Sequence, residues 1–215
     1  MNGPELRRGV YFIADTGVLA DEQLAPVTEA ALRGGVTVVQ LRAKDRPPAD
    51  VAHLASGLLE VTRAFGVPLL INDLPEAAAQ VGAEGAHVGQ EDMSVVEARR
   101  VLGPEAIIGA TTDTADQVRR AEREGADYIA IGAIFPSPTK PQAEIMPRAT
   151  ARELAALTRL PLCVIGGINE DNIGQLEELS PELVCVISAI ALADDPEAAA
   201  RRLGDAMSDW PPRRL

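Results

Sequence analysis

Gln40, Arg42 and Lys44 alternate where an apolar run ends, so in extended backbone their side chains fall on one side of the chain. Two cations and an amide presented together make an anion site, and phosphate fits that donor set. Asn72-Asp73 ends a second apolar run, and a third leads into His87-Val88-Gly89-Gln90-Glu91-Asp92. Two carboxylates, Asp73 and Asp92, facing a phosphate site suit Mg2+, which takes oxygen ligands and is usually shared between one or two carboxylates, waters and substrate phosphates. Each Asp also precedes a helical stretch, so helix capping is the competing explanation.

Further polar residues follow later apolar runs. Phe135-Pro136-Ser137-Pro138-Thr139-Lys140 lies in an irregular stretch, 132–147, stiffened by Pro136, Pro138, Pro141 and Pro147. Its hydroxyls and ammonium again suit phosphate or pyrophosphate. The chain has only two lysines among its 20 basic residues, Lys44 and Lys140, and both fall in these segments. Gly166-Gly167 and Ile187-Ser188 come after the last two runs, where backbone N–H groups can approach an anion closely.

These segments need elements to hold them. Apolar runs at 10–14, 36–41, 68–71, 85–88, 107–110, 128–131, 162–165 and 183–187 are rich in Val, Ile and Leu, as strands buried on both faces of a parallel sheet are. Amphipathic stretches at 21–33, 49–65, 94–102, 114–124, 150–157 and 196–207 lie between or after them. Ser94 and Thr114 are placed to cap two of these, and glycines at 34, 66 and 125 stand where helices stop. Roughly eight units of ~27 residues match a single-domain (β/α)8 TIM barrel over 1–215, with its chemistry at the C-terminal ends of the strands. An open doubly wound sheet is the alternative. The tail at 209–215 is expected to be frayed or docked.

Composition narrows the function. A net charge of −12 argues against a nucleic-acid or anionic-membrane surface, and 3% aromatics are too few for a base-stacking platform. Two cysteines make no disulfide framework, and no apolar run reaches the ~18 residues of a membrane helix. A cytoplasmic protein acting on small molecules is expected, with neither nucleic acid nor membrane as partner; a homo-oligomer remains an open option. His53 reads as a surface residue, His87 as a packed one, and Cys163 and Cys185 as small buried hydrophobes. No zinc spacing, G-x-G-x-x-G or Walker loop is present.

In this order and spacing, Gln40-Leu41-Arg42-Ala43-Lys44, Ile71-Asn72-Asp73, His87 through Asp92, Phe135 through Lys140 and Ile165-Gly166-Gly167-Ile168 resemble the thiamine phosphate synthase family. The resemblance implies a (β/α)8 barrel that joins a 4-aminopyrimidine diphosphate to a thiazole phosphate, releasing pyrophosphate in a dissociative, Mg2+-assisted substitution. It implies that Gln40, Leu41, Arg42, Ala43 and Lys44 hold the pyrimidine diphosphate with Asn72, Thr111 and Lys140. Arg42, Lys44 and Lys140 would act on the leaving group, and Asp73 and Asp92 would hold Mg2+. Ser137, Pro138, Thr139, Gly167, Ile187 and Ser188 would receive the thiazole phosphate. Thr111 and Ser137 differ from the family's usual residues but keep the hydroxyl; Ala14 does not, and a glycine expected after Lys140 is missing. A thiazole tautomerase is the nearest rival. That family is expected to carry a histidine where this chain has Gly132-Ala133-Ile134. A non-catalytic phosphate-binding barrel would not need the Asp pair, and a phosphosugar isomerase would want a well-placed Glu or His base.

Overall fold

A computed structural model describes residues 6–137 and 142–213. Eight parallel strands close into a barrel in sequence order: β1 (Gly9–Asp15), β2 (Val38–Arg42), β3 (Leu69–Asn72), β4 (Gly85–Val88), β5 (Ile107–Thr111), β6 (Tyr128–Ile131), β7 (Leu162–Ile165) and β8 (Leu183–Val186). β1 pairs with β8 through Gly9 opposite Leu183, so no edge is left open. Outside run α1 (Asp21–Arg33), α2 (Pro48–Phe65), α3 (Pro75–Val81), α4 (Val95–Leu102), α5 (Ala115–Glu124), α6 (Arg148–Ala155), α7 (Ser188–Ala191) and α8 (Pro196–Met207). A 3-10 turn, Ile173–Leu176, stands after β7 where a helix would be expected. The doubly wound alternative is excluded by the closure. α3, α7 and the 3-10 turn are missing from the sequence-based assignment, because four to seven residues carry too little of a 3.6-residue period to be read.

Strand alternation divides the core into two layers. Val10, Phe12, Val39, Leu41 and Ile71 point outward and pack under the helices. Tyr11, Ile13, Val38, Leu70, Tyr128, Cys163 and Cys185 point inward and fill the barrel. Both caps expected from sequence are formed: Ser94 accepts from Glu97 N–H, Thr114 accepts from Gln117 N–H, and Glu97 and Gln117 accept in return from the cap backbones. Gly125 ends α5 in the left-handed region at φ 81°, where a side chain would be strained. The tail is docked through residue 213. Trp210 is buried, Arg8 donates to the Trp210 carbonyl at 3.1 Å, and Arg213 donates to the Ala155 and Thr158 carbonyls at 2.7 and 3.1 Å. No helix among the described residues is long and apolar enough to cross a membrane.

Candidate active site

The C-terminal strand ends surround a cavity of about 620 Å3. Period-two alternation sends Gln40 and Arg42 from β2 into it, and Asn72, His87 and Thr111 enter from β3, β4 and β5. Ser137, Gly167, Ile187 and Ser188 line the opposite side. The same alternation turns the Leu41 and Ala43 side chains away, into the layer beneath the helices, so only their backbone is left to face a ligand. Pro138, Thr139 and Lys140 lie outside the described residues.

Arg42 is held by a residue that sequence reasoning passed over. Asp15, buried at the end of β1, sits opposite Arg42 in the strand register and accepts its Nη1–H at 2.7 Å. The other carboxylate oxygen of Asp15 accepts the Gly17 N–H at 2.8 Å, so the anion is fixed before Arg42 meets it. The signal that could have found it is the one that singled out Asn72 and Asp73, a polar residue closing an apolar run.

Lys44 Nζ stands 3.8 Å from Asp73 Oδ2 at the rim. Asp73 follows β3 with φ 62°, a left-handed conformation that Asp tolerates better than most residues. Burial, then the neighbouring Asp92 carboxylate, push its acid up to about 6, against the pull of Lys44. Asp92 Oδ2 accepts the Gly89 N–H at 2.7 Å within its own loop. Neither aspartate caps a helix: the residue before α3 is Leu74, and Ser94 caps α4. Two neighbouring carboxylates, one of them held towards its protonated form, are a pair of oxygen donors that could share a cation. Among the described residues no group of three or more His, Cys, Asp or Glu could hold a metal. The protein would therefore supply two oxygen donors and leave the rest to water and phosphate, a set that fits Mg2+ and not zinc.

Beneath the cavity a chain of side-chain hydrogen bonds crosses the barrel. Gln40 Nε2–H donates to the Tyr11 hydroxyl at 2.6 Å, and Tyr11 and Tyr128 hydroxyls lie 3.0 Å apart. Tyr128 meets His87 Nδ1 at 2.8 Å, and His87 Nε2 meets Thr111 Oγ1 at 2.9 Å. Burial lowers the imidazole pKa to about 4, only partly offset by Asp92, and raises both phenols well above their ordinary value. His87 is thus packed, as its place in an apolar run suggests, yet it also faces the cavity. Tyr11 and Tyr128 carry no such signal in sequence, because each belongs to an apolar run at a position where a core aromatic is expected.

A closed (β/α)8 barrel whose cavity opens at the C-terminal strand ends defines a barrel enzyme of the kind that works on small molecules. Residues 10–190 match the family model described as thiamine monophosphate synthase. The chain is 40% identical over 207 residues to the thiamine-phosphate synthase of Natronomonas pharaonis, covering 95% of this chain and 97% of that protein. It is 42% identical over 198 residues to that of Roseiflexus sp. (strain RS-1), covering 90% and 83%. Its fold superposes on the thiamine phosphate pyrophosphorylase of Pyrococcus furiosus with a TM-score of 0.84 at 29% identity, covering 95% of this chain and 97% of that one. The chain belongs to the thiamine monophosphate synthase family, and as a member it is a transferase of thiamine biosynthesis.

Proposed function

We propose that the cavity joins 4-amino-2-methyl-5-(diphosphooxymethyl)pyrimidine to a thiazole phosphate, giving thiamine phosphate and pyrophosphate. The observation that carries this reading is Arg42 and Asn72 in the cavity lining, with Asp73, the residue after Asn72, paired to Lys44 and neighboured by Asp92. In the reaction the bond between the methylene carbon and the diphosphate oxygen breaks with both electrons going to the leaving group. The aminopyrimidine supports the cation left behind, and the thiazole nitrogen lone pair closes the new C–N bond. No proton has to move at the reacting carbon, which agrees with a histidine kept neutral by burial.

Arg42, oriented by Asp15, and Lys44 receive the departing diphosphate; Lys140 is assigned the same task by family resemblance. Asn72 and Gln40 hold the pyrimidine end. Mg2+ bound by Asp73 and Asp92 would neutralise charge on the diphosphate. Ser137, Gly167, Ile187 and Ser188 receive the thiazole phosphate beside β7 and β8, the position where barrels often bind phosphate, with Pro138 and Thr139 added by resemblance. A Cβ on Gly167 would lie 2.2 Å from the Pro136 carbonyl oxygen, so the backbone is bare there because nothing larger fits.

Mixing the two substrates with Mg2+ and following pyrophosphate tests the reading. Release that stops on adding EDTA supports it; no release, with isomerisation of thiazole phosphate alone, would replace it with the tautomerase.

A further inference from the structure

We propose that Tyr11, Tyr128 and His87 are positioning residues that fix the Thr111 hydroxyl as a hydrogen-bond donor and leave the Gln40 carbonyl as an acceptor, so that the cavity selects a ring bearing an amino group and an unprotonated ring nitrogen. The inference rests on the pyrimidine substrate proposed above and deepens it.

The direction of every bond follows from the first. Gln40 Nε2 can only donate, so the Tyr11 oxygen is the acceptor. Among the described residues Tyr11 has one other partner, Tyr128, and its single proton goes there. Tyr128 has then accepted, and its own proton has His87 Nδ1 as its remaining partner. A neutral imidazole accepting at Nδ1 carries its proton on Nε2, and that proton points at Thr111 Oγ1. Thr111 therefore cannot spend its hydroxyl proton on His87, and the proton is available to a ligand in the cavity that Thr111 lines. At the other end, Gln40 Oε1 has no partner among the described residues and is not sealed away from the cavity.

The network is built into the packing. Tyr11 and Tyr128 are fully buried and meet edge to face, with ring centroids 6.0 Å apart. The His87 ring stacks on Tyr128 at 5.6 Å. A Cβ at Gly109 would fall 2.0 Å from Tyr128 Cζ, so β5 is bare where β6 lays the ring across it. A free acceptor and a free donor at the two ends match the amino group and ring nitrogen of a 4-aminopyrimidine. The 4-oxo analogue presents a carbonyl and a ring N–H instead, reversing both.

Nitrogen NMR of the imidazoles in the intact protein reads the polarity directly. His53, the other of the two histidines, is exposed on α2 and should give a separate signal. At pH 7, His87 is expected as the Nε2–H tautomer; the Nδ1–H tautomer would overturn the proposal. Tyr128→Phe keeps the ring and removes the oxygen. It should give mixed tautomers, raise KM for the 4-aminopyrimidine diphosphate about tenfold and narrow its preference over the 4-oxo analogue, with kcat changed less. His87→Gln, which can offer an N–H to Thr111, should recover KM to within about twofold where His87→Leu does not. Unchanged KM and preference in Tyr128→Phe would refute the positioning role even if wild-type turnover is normal. Wild type failing to bind the 4-aminopyrimidine diphosphate would instead remove the proposed substrate, and with it the ligand half of this inference, while the tautomer still decides the polarity.

Discussion

Replacing Asp92 with Asn removes one negative charge from beside Asp73 and keeps an oxygen to accept the Gly89 N–H. Asp73 titrates at about 6, against an ordinary value of 3.8, for two main reasons: burial first, then Asp92. Between those values the folded chain binds more protons than the unfolded one, so stability falls as pH rises through the window and the full cost is present above about pH 6. The rise corresponds to ~3 kcal/mol, and the partial exposure of Asp73 reduces this to about 2 kcal/mol. Asp92 acts on Asp73 both through a side-chain hydrogen bond and through its charge, and removing that charge recovers about 1 kcal/mol. At pH 7 without Mg2+, Asp92→Asn should therefore melt about 2–4 °C above wild type. It should also lack the Mg2+-dependent rise in melting temperature expected of wild type, and its rate of pyrophosphate release should fall about 10²-fold or more. A helix cap behaves in the opposite way, since losing one costs about 1 kcal/mol of stability. Scanning calorimetry with and without Mg2+, beside a pyrophosphate assay, reads all three quantities. A variant that melts below wild type while keeping the Mg2+ response would refute the metal-site reasoning.

Asp15→Asn leaves Arg42 without its counter-ion, and because Arg42 reaches the cavity the cost should be about 2 kcal/mol, below the ~3–5 kcal/mol of a fully sealed pair. Urea unfolding and initial rates should show that loss together with a KM for the diphosphate substrate raised about tenfold; an unchanged KM would mean that Asp15 does not orient Arg42. Gly109→Ala should destabilise by about 3 kcal/mol by driving the Tyr128 ring from its site. Gly57→Ala, in open space on α2, should instead stabilise by about 0.5–1 kcal/mol, so equal melting temperatures for the two would refute the steric account.

Much of the barrel was legible because its signals are local. Val, Ile and Leu runs place all eight strands to within two residues at either end, and Ser94 with Glu97 and Thr114 with Gln117 mark two helix starts that the structure reproduces. The candidate site was legible where polar residues interrupt those runs: Gln40, Arg42 and Asn72, singled out that way, line one cavity, and Thr111, implied only by the family resemblance, joins them there. The exceptions were also local in origin. Leu41 and Ala43 share a segment with the cavity residues, but every second side chain of a strand faces the other way.

What the chain's own order of residues determined, then, is the alternation of elements and the side each strand residue faces, since both follow from backbone geometry over a few positions. Only the closed barrel decided which distant residues meet. Asp15 reaches Arg42 across 27 positions, and Tyr11 reaches Tyr128 across 117, because β1 lies beside β2 and the inward side chains of β1 and β6 converge on one axis. Partners of that kind depend on the stagger and closure of eight strands together, a property that no single segment carries.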